Sequence, residues 1–288
     1  MKYSTLIDAS DALAHLQDPA WAFIDCRFVL GAPAKGREAY HAQHIPGAVY
    51  ADLEVDLSGT VESGRTGRHP LPSTAEFDAT ISRLGIDEQT QVVAYDEQSG
   101  ALAAARLWWL LKWAGHDAVA VLNGGLTQWR AQGYPVAQGT EQRPSRHFVG
   151  RYRADMVVSA QDVLSSLASG DHMLVDSRTR DRYRGEQEPL DPIAGHIPGA
   201  VCLPYVENVI PDGLFLEPAQ LQARFEALPQ HTGPRSTVFY CGSGVTAAQN
   251  VLAYAHAGLG VPKLYPGSWS DWITDPTRPV ATGDENPS

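Results

Sequence analysis

His196-Ile197-Pro198-Gly199-Ala200-Val201 repeats, residue for residue, the earlier stretch His44-Ile45-Pro46-Gly47-Ala48-Val49. One short word can recur by chance. Here three further blocks recur in the same order. Asp25-Cys26-Arg27 returns as Asp176-Ser177-Arg178, and Val93-Ala94-Tyr95-Asp96 is echoed by Val238-Phe239-Tyr240-Cys241. Leu122-Asn123-Gly124-Gly125-Leu126-Thr127-Gln128-Trp129 is echoed by Tyr265-Pro266-Gly267-Ser268-Trp269-Ser270-Asp271-Trp272. Ordered self-similarity of this kind means two copies of one domain. The chain length of 288 residues agrees, at roughly 150 residues per domain. The expected division is a first domain over 1–140, a linker over 141–154 and a second domain over 155–288. The spacing between copies shrinks down the chain, which places an insertion in the first copy between Asp52 and Pro72.

Within each copy, strand and helix signals alternate. Met173–Asp176 and Ser236–Tyr240 read as short buried strands, matched by Ala22–Asp25 and Gln91–Tyr95. Ser159 can cap a helix over Ala160–Ala168, and Val245–Ala257 and Ala101–Ala114 read as helices. Strands separated by helices predict an α/β fold: two tandem domains, each a parallel sheet with helices on both faces. Ala137–Arg153, rich in Gln, Gly, Pro and Arg, is the natural linker, and a cleft between packed copies is expected rather than a loose tether.

Composition narrows the function. Hydrophobic residues make up 43% and charged residues 19%, so the chain can bury a core. The net charge of −11 argues against nucleic acid and against an anionic membrane surface as partners. No apolar run spans a bilayer, and the N-terminal stretch is too acidic for a signal peptide, so the expected compartment is the cytoplasm. Cys26, Cys202 and Cys241 form no CxxC, and no metal or cofactor motif is present. Gly31–Glu38 lacks the Lys-Ser/Thr pair of a phosphate loop.

The chemistry points to Cys241-Gly242-Ser243-Gly244-Val245-Thr246-Ala247-Ala248, between a strand and a helix. Ligands of open parallel sheets gather at the carboxyl ends of the strands. Gly242 and Gly244 let the backbone of this loop curl, so that its N–H groups and the end of the helix can hold an anion. A thiol placed there reacts as the thiolate. The equivalent position in the first copy is Asp96, which cannot be a sulfur nucleophile. An Arg six residues after the Cys, as in a phosphatase loop, is missing: Ala247 stands there. A cysteine-protease arrangement is compatible with the composition. The small loop suits a sulfur atom carried on Cys241 as a persulfide.

These blocks and the CGSGVTA word resemble the two-domain sulfurtransferases of the rhodanese superfamily, most closely their 3-mercaptopyruvate branch. The resemblance covers nearly the whole chain. It implies that Cys241 takes a sulfane sulfur from 3-mercaptopyruvate and passes it to a thiol, thioredoxin or cyanide, without a cofactor. Thiosulfate sulfurtransferases carry Arg and Lys where this chain has Gly242 and Ser243. Thiosulfate is a dianion that profits from such cations, so the neutral loop favours mercaptopyruvate. The alternatives are thiosulfate:cyanide sulfurtransferase and a persulfide carrier that turns over no small donor.

By the same resemblance, Cys241, Ser243, His69 and Glu54 are the catalytic candidates, the last three as a serine–histidine–acid relay. A first-domain His69 would reach Cys241 only across an interdomain cleft. Arg182 matches a substrate-binding arginine, and loop residues Gly242, Gly244, Val245 and Thr246 would surround the donor. The family's second clamp arginine is missing, since Leu190-Asp191 stands there, with Arg184 as a candidate stand-in. His44 and His196 occur in both copies and read as structural turns. Arg178 reads as a structural ion-pair partner of Asp176 or of a neighbour, Cys26 and Cys202 as inert core thiols, and Trp108, Trp109 and Trp113 as core. Trp269 is expected to line the mouth of the site. Ala248 stands where many relatives have a second cysteine, so no local resolving thiol is expected.

Overall fold

The computed structural model describes residues 3–97, 99–101, 103–229 and 233–284. The chain divides into two compact units that each borrow a segment from the other half of the sequence. The first takes in the chain up to Gly59, then Pro72–Arg153 and Val209–Phe215. The second takes in Thr60–Leu71, Ala154–Asn208 and the chain from Leu216 onward.

The first unit runs β1 (Leu6–Ile7), α1 (Ala9–Ala14), β2 (Trp21–Asp25), α2 (Ala34–Ala42), β3 (Val49–Tyr50), α3 (Thr74–Arg83), β4 (Gln91–Tyr95), α4 (Ala104–Trp113), β5 (Val119–Leu122) and α5 (Gly125–Ala131). Its sheet has the order β1-β5-β4-β2-β3, with every pair parallel. β2 and β4 are buried throughout, as expected of strands covered on both faces. Phe23, Val93, Tyr95 and Leu122 pack with Ala12, Leu126 and Trp129 of α1 and α5 on one face. α4, buried along its whole length, packs against β4 and β5. Trp108, Trp109 and Trp113 are therefore core residues. The apolar pattern places the start of this helix at Ala101; it starts at Ala104, and Leu102 lies outside the described residues.

The second unit runs α6 (Ala160–Ser169), β6 (Met173–Asp176), α7 (Arg180–Arg184), β7 (Val201–Cys202), α8 (Pro218–Glu226), β8 (Thr237–Tyr240), α9 (Thr246–His256), β9 (Lys263–Leu264) and α10 (Ser268–Trp272). Its order β7-β6-β8-β9 is again parallel, and Val157 adds a single parallel bridge to Leu264 at the place β1 fills in the first sheet. Leu174, Val238 and Tyr240 face Val163, Trp269 and Trp272. On the other face, Phe239 meets Phe225 edge-on at 6.0 Å. Ser159 caps α6 through a reciprocal pair with Asp162.

The recurring words build one frame in each unit. Tyr95 and Tyr240, at the ends of β4 and β8, accept the N–H of Ile45 and Ile197 on their hydroxyls. His44 and His196 bond the carbonyls of Tyr40 and Tyr183 through Nδ1 and stack on those same rings. Arg27 clasps Asp25 and the carbonyl of Gln43; Arg178 clasps Asp176 and the carbonyl of Gly195. The histidines of the repeated word thus hold turns.

From Ala137 to Arg153 the chain forms no helix. It is pinned along the first unit: Ala137 pairs with His44, Arg146 bonds Ser82 and Asp87, and Phe148 is buried.

Arg178 is 1% exposed at its side chain and Asp176 is fully buried. Removing one partner of such a pair leaves an uncompensated buried charge. Asp176→Ala is expected to lower stability by about 3–5 kcal/mol in urea unfolding. A loss below about 1 kcal/mol, the range of an exposed pair, would contradict this account of the frame.

Candidate functional site

β8 ends at Tyr240, and the chain turns through Cys241–Val245 into α9. Gly244 sits at φ +75°, and a Cβ there would lie 2.2 Å from the carbonyl of Pro266, so the turn admits only glycine. This curl points donors at the sulfur. Cys241 is 1% exposed, and Gly244 donates its N–H to Sγ at 3.2 Å. Burial by itself would raise the thiol pKa. The Thr246 hydroxyl and the N–H groups of Ser243, Ala247 and Gly244 outweigh it and bring the pKa below the ordinary thiol value. The other thiols move the opposite way. Burial lifts Cys26 well above its usual value and pushes Cys202 up to about 12. Val245 and Thr246 occupy the helix entry, and Val245 is nearly buried.

The first turn of α10 holds the loop. Ser268, a non-glycine residue at φ +56°, accepts the Cys241 N–H on its hydroxyl at 3.1 Å. Trp269 and Ser270 donate their N–H groups to the carbonyls of Cys241 and Gly242. Trp269 is fully buried, with Arg178 over its ring at 5.0 Å. It supports the loop and does not line a mouth, contrary to expectation, because its backbone N–H is bonded to Cys241, its ring N–H to the carbonyl of Ile193, and its ring lies against Arg178.

Beside the loop lies the segment Thr60–Leu71. Arg68 donates its N–H to the Ser270 hydroxyl at 3.0 Å, and Ser243 Oγ and His69 Nδ1 share a hydrogen bond of 2.8 Å. Both members of that bond are buried. His69 reaches Ser243 within the second unit, although its segment is an insertion of the first copy in sequence. Glu54 belongs to the first unit, where it is exposed and its N–H bonds the Asp52 carboxylate.

Arg182 lies on α7, bonded to both carboxylate oxygens of Glu188 and, at 3.4 Å, to Asp191. Arg68 is ion-paired to that same Asp191. A Cβ on Gly242 would lie 2.7 Å from Nη2 of Arg68 and 3.6 Å from Nη1 of Arg182, so both guanidiniums stand over the loop. Arg184 points elsewhere, to Asp284. Sequence reasoning did not single out Arg68 or Ser268. Their signal was adjacency: one precedes His69, and the other sits in the repeated block that closes each copy.

At the corresponding strand end the first unit carries a carboxylate in place of the thiol. Asp96 accepts the N–H groups of Gly100, Ala103 and Ala104 on its buried carboxylate. Among the described residues no group of three or more His, Cys, Asp or Glu side chains is placed to hold a metal, and no helix is long and apolar enough to cross a membrane.

Two tandem parallel-sheet units, one of which delivers a buried thiol with a depressed pKa into a turn of backbone donors, define a class. The chain belongs to the rhodanese-like family, whose domain matches residues 8–132 and 159–275. It is 46% identical over 285 residues to a probable 3-mercaptopyruvate sulfurtransferase of Pseudomonas aeruginosa, covering 99% of this chain and 100% of that protein. It is 41% identical to a putative thiosulfate sulfurtransferase, SseB, of Mycobacterium tuberculosis, covering 96% and 97%. The solved 3-mercaptopyruvate sulfurtransferase from Leishmania major superposes with a TM-score of 0.81 at 32% identity, covering 93% of this chain and 73% of that one.

The thiolate form of Cys241 is expected to titrate below the ordinary thiol range. Ultraviolet absorbance of the thiolate, taken as the difference from Cys241→Ser, checks this. The signal is lost as pH falls through the depressed pKa. Thr246→Val, which removes one donor, is expected to move the midpoint up. An unmoved midpoint would mean that the hydroxyl does not hold the sulfur.

Proposed function

We propose that the protein transfers the sulfur of 3-mercaptopyruvate, through a persulfide on Cys241, to a thiol acceptor. The observation that carries this reading is the ring of donors that acidifies a buried Cys241 beside a Ser243–His69 pair. The Cys241 thiolate attacks the donor's sulfur. The S–S bond forms as the carbon–sulfur bond breaks, and the electron pair leaves on the donor's methylene carbon as the enolate of pyruvate. With His69 donating through Nδ1, the Ser243 hydroxyl can donate to the keto oxygen where that negative charge develops. Protonation of the enolate gives pyruvate. An acceptor thiolate then attacks the outer sulfur and restores the Cys241 thiolate. The loop N–H groups serve both forms, since persulfide and thiolate each carry charge there. Acceptors of the class of thioredoxin, other thiols or cyanide fit this second step.

Thiosulfate is the second donor this site could serve, and the similarity to a putative thiosulfate sulfurtransferase favours it. The loop itself offers no cation to a dianion: Gly242 and Ser243 supply none. Cys241, Ser243 and His69 are assigned the chemistry, Arg182 and the loop from Gly242 to Thr246 the donor. Glu54 would complete the relay and Arg184 would serve the donor only if their exposed carboxylate and Asp284-paired guanidinium turned to the site. Three unpaired thiols agree with a reducing, cytoplasmic setting.

Intact mass after brief mixing with 3-mercaptopyruvate is expected to rise by one sulfur atom, and not to rise in Cys241→Ser. His69→Ala is expected to lower kcat by about a hundredfold or more. Faster sulfur gain from thiosulfate would reverse the choice of donor, and gain retained in Cys241→Ser would remove the mechanism.

A further inference from the structure

Where the family's second clamp arginine is expected, this chain has an acid, Asp191. That acid is nearly buried, 3% exposed at its side chain, and it is spanned by two guanidiniums. Arg182 reaches it with Nη2 and Arg68 with Nη1. Glu188 takes the remaining inner edge of Arg182 through Nε and Nη2. Nε of Arg68 is buried without a partner among the described residues, and each guanidinium also keeps one terminal nitrogen uncommitted. Nη2 of Arg68 and Nη1 of Arg182 have no bonding partner among the described residues, and these are two of the atoms that stand over Gly242, next to Cys241. Gly242 leaves the space they occupy; any side chain there would meet Arg68 first.

The geometry points to Arg68 as the second donor-binding arginine of this protein, paired with Arg182 to hold a carboxylate above Cys241, and to Asp191 as the residue that positions it. Two uncommitted guanidinium nitrogens converging on one spot match the two oxygens of a carboxylate. Asp191 and Glu188 keep the two like charges together before the donor arrives, since each carboxylate lies against a guanidinium. The cation has thus changed chain segment. It comes from Thr60–Leu71, one residue before His69, and Asp191 is the counter-charge that such a relocation requires. One peptide unit therefore delivers the carboxylate ligand and the Ser243 partner. Only the identity of the donor rests on the proposed function; the anion clamp does not.

The test uses the full-length protein and two small alkylating agents, iodoacetate and iodoacetamide, each losing iodide to the same thiolate. Their rate ratio at Cys241 cancels the thiolate fraction and reads the carboxylate alone. The wild type is expected to favour iodoacetate. Because Arg68→Gln alone strands a buried carboxylate, the variant is Arg68→Gln with Asp191→Asn. Its ratio is expected to fall about ten- to a hundredfold, the effect of a charge-assisted hydrogen bond. Arg68→Lys, which keeps the charge, is expected to retain part of the preference. In turnover with 3-mercaptopyruvate, KM is expected to rise in the double variant by more than kcat falls. A ratio equal in wild type and double variant, or a wild-type thiol that takes both reagents alike or neither, would overturn the clamp. A wild type that favours iodoacetate yet gains no sulfur from 3-mercaptopyruvate would instead overturn the proposed donor and leave the clamp standing.

Discussion

The buried pair of Asp176 and Arg178 ties the second unit together. Asp176 ends the central strand β6, and Arg178 grips both of its carboxylate oxygens. From that anchor the guanidinium also reaches the carbonyl of Gly195, which enters the repeated turn, and Glu188, which holds Arg182. Its plane lies over Trp269, whose N–H fastens the carbonyl of Cys241. An arginine with several donors in a rigid fork can serve all these partners at once; a lysine could not. The cost of burying the ions is met by the number of hydrogen bonds they make. Strand end, turn, Arg182 and the Cys241 loop are thereby registered to one another through a single side chain.

The first unit shows what that frame does when no chemistry is asked of it. Asp25 and Arg27 repeat the pair, Tyr95 repeats the hydroxyl that pins the turn, and Leu126 donates to the carbonyl of Asp96 as Trp269 does to that of Cys241. Backbone N–H groups ahead of the following helix again converge on the residue after the strand, and there they bond a carboxylate. The preference for negative charge is therefore a property of the strand–turn–helix geometry. What distinguishes the second unit is the identity of the anion: a thiolate can form and break bonds to sulfur, and a carboxylate cannot. In the proposed reaction this would divide the work between a scaffold copy and a copy that carries the nucleophile.

Much of this was legible in the residues. Periodicity placed the buried strands and the main helices, since burial on two faces leaves continuous apolar runs such as Val92–Ala94 and Val238–Tyr240. Recurrence identified the turns: a histidine kept in both copies cannot depend on a thiol kept in one. Trp269 was misread because a tryptophan beside glycines gives no sign of which way its ring will face. Arg68 and Ser268 were passed over because their roles rest on contacts with distant residues, Asp191 in one case and the Cys241 amide in the other.

The sequence by itself determined the two copies, the parallel α/β architecture, and the place of Cys241 after its strand with Asp96 at the corresponding position of the first copy. These follow from local pattern and from comparing the chain with itself. Only the tertiary structure decided that Thr60–Leu71 leaves the copy in which it is encoded and joins the second unit. That choice brings His69 to Ser243 and Arg68 over Gly242. The segment has neither helical nor strand periodicity, so nothing local dictates its place. Its position is set by the partners that satisfy it, among them the Ser270 hydroxyl, Ser243 and Asp191, which lie more than a hundred residues away in the chain.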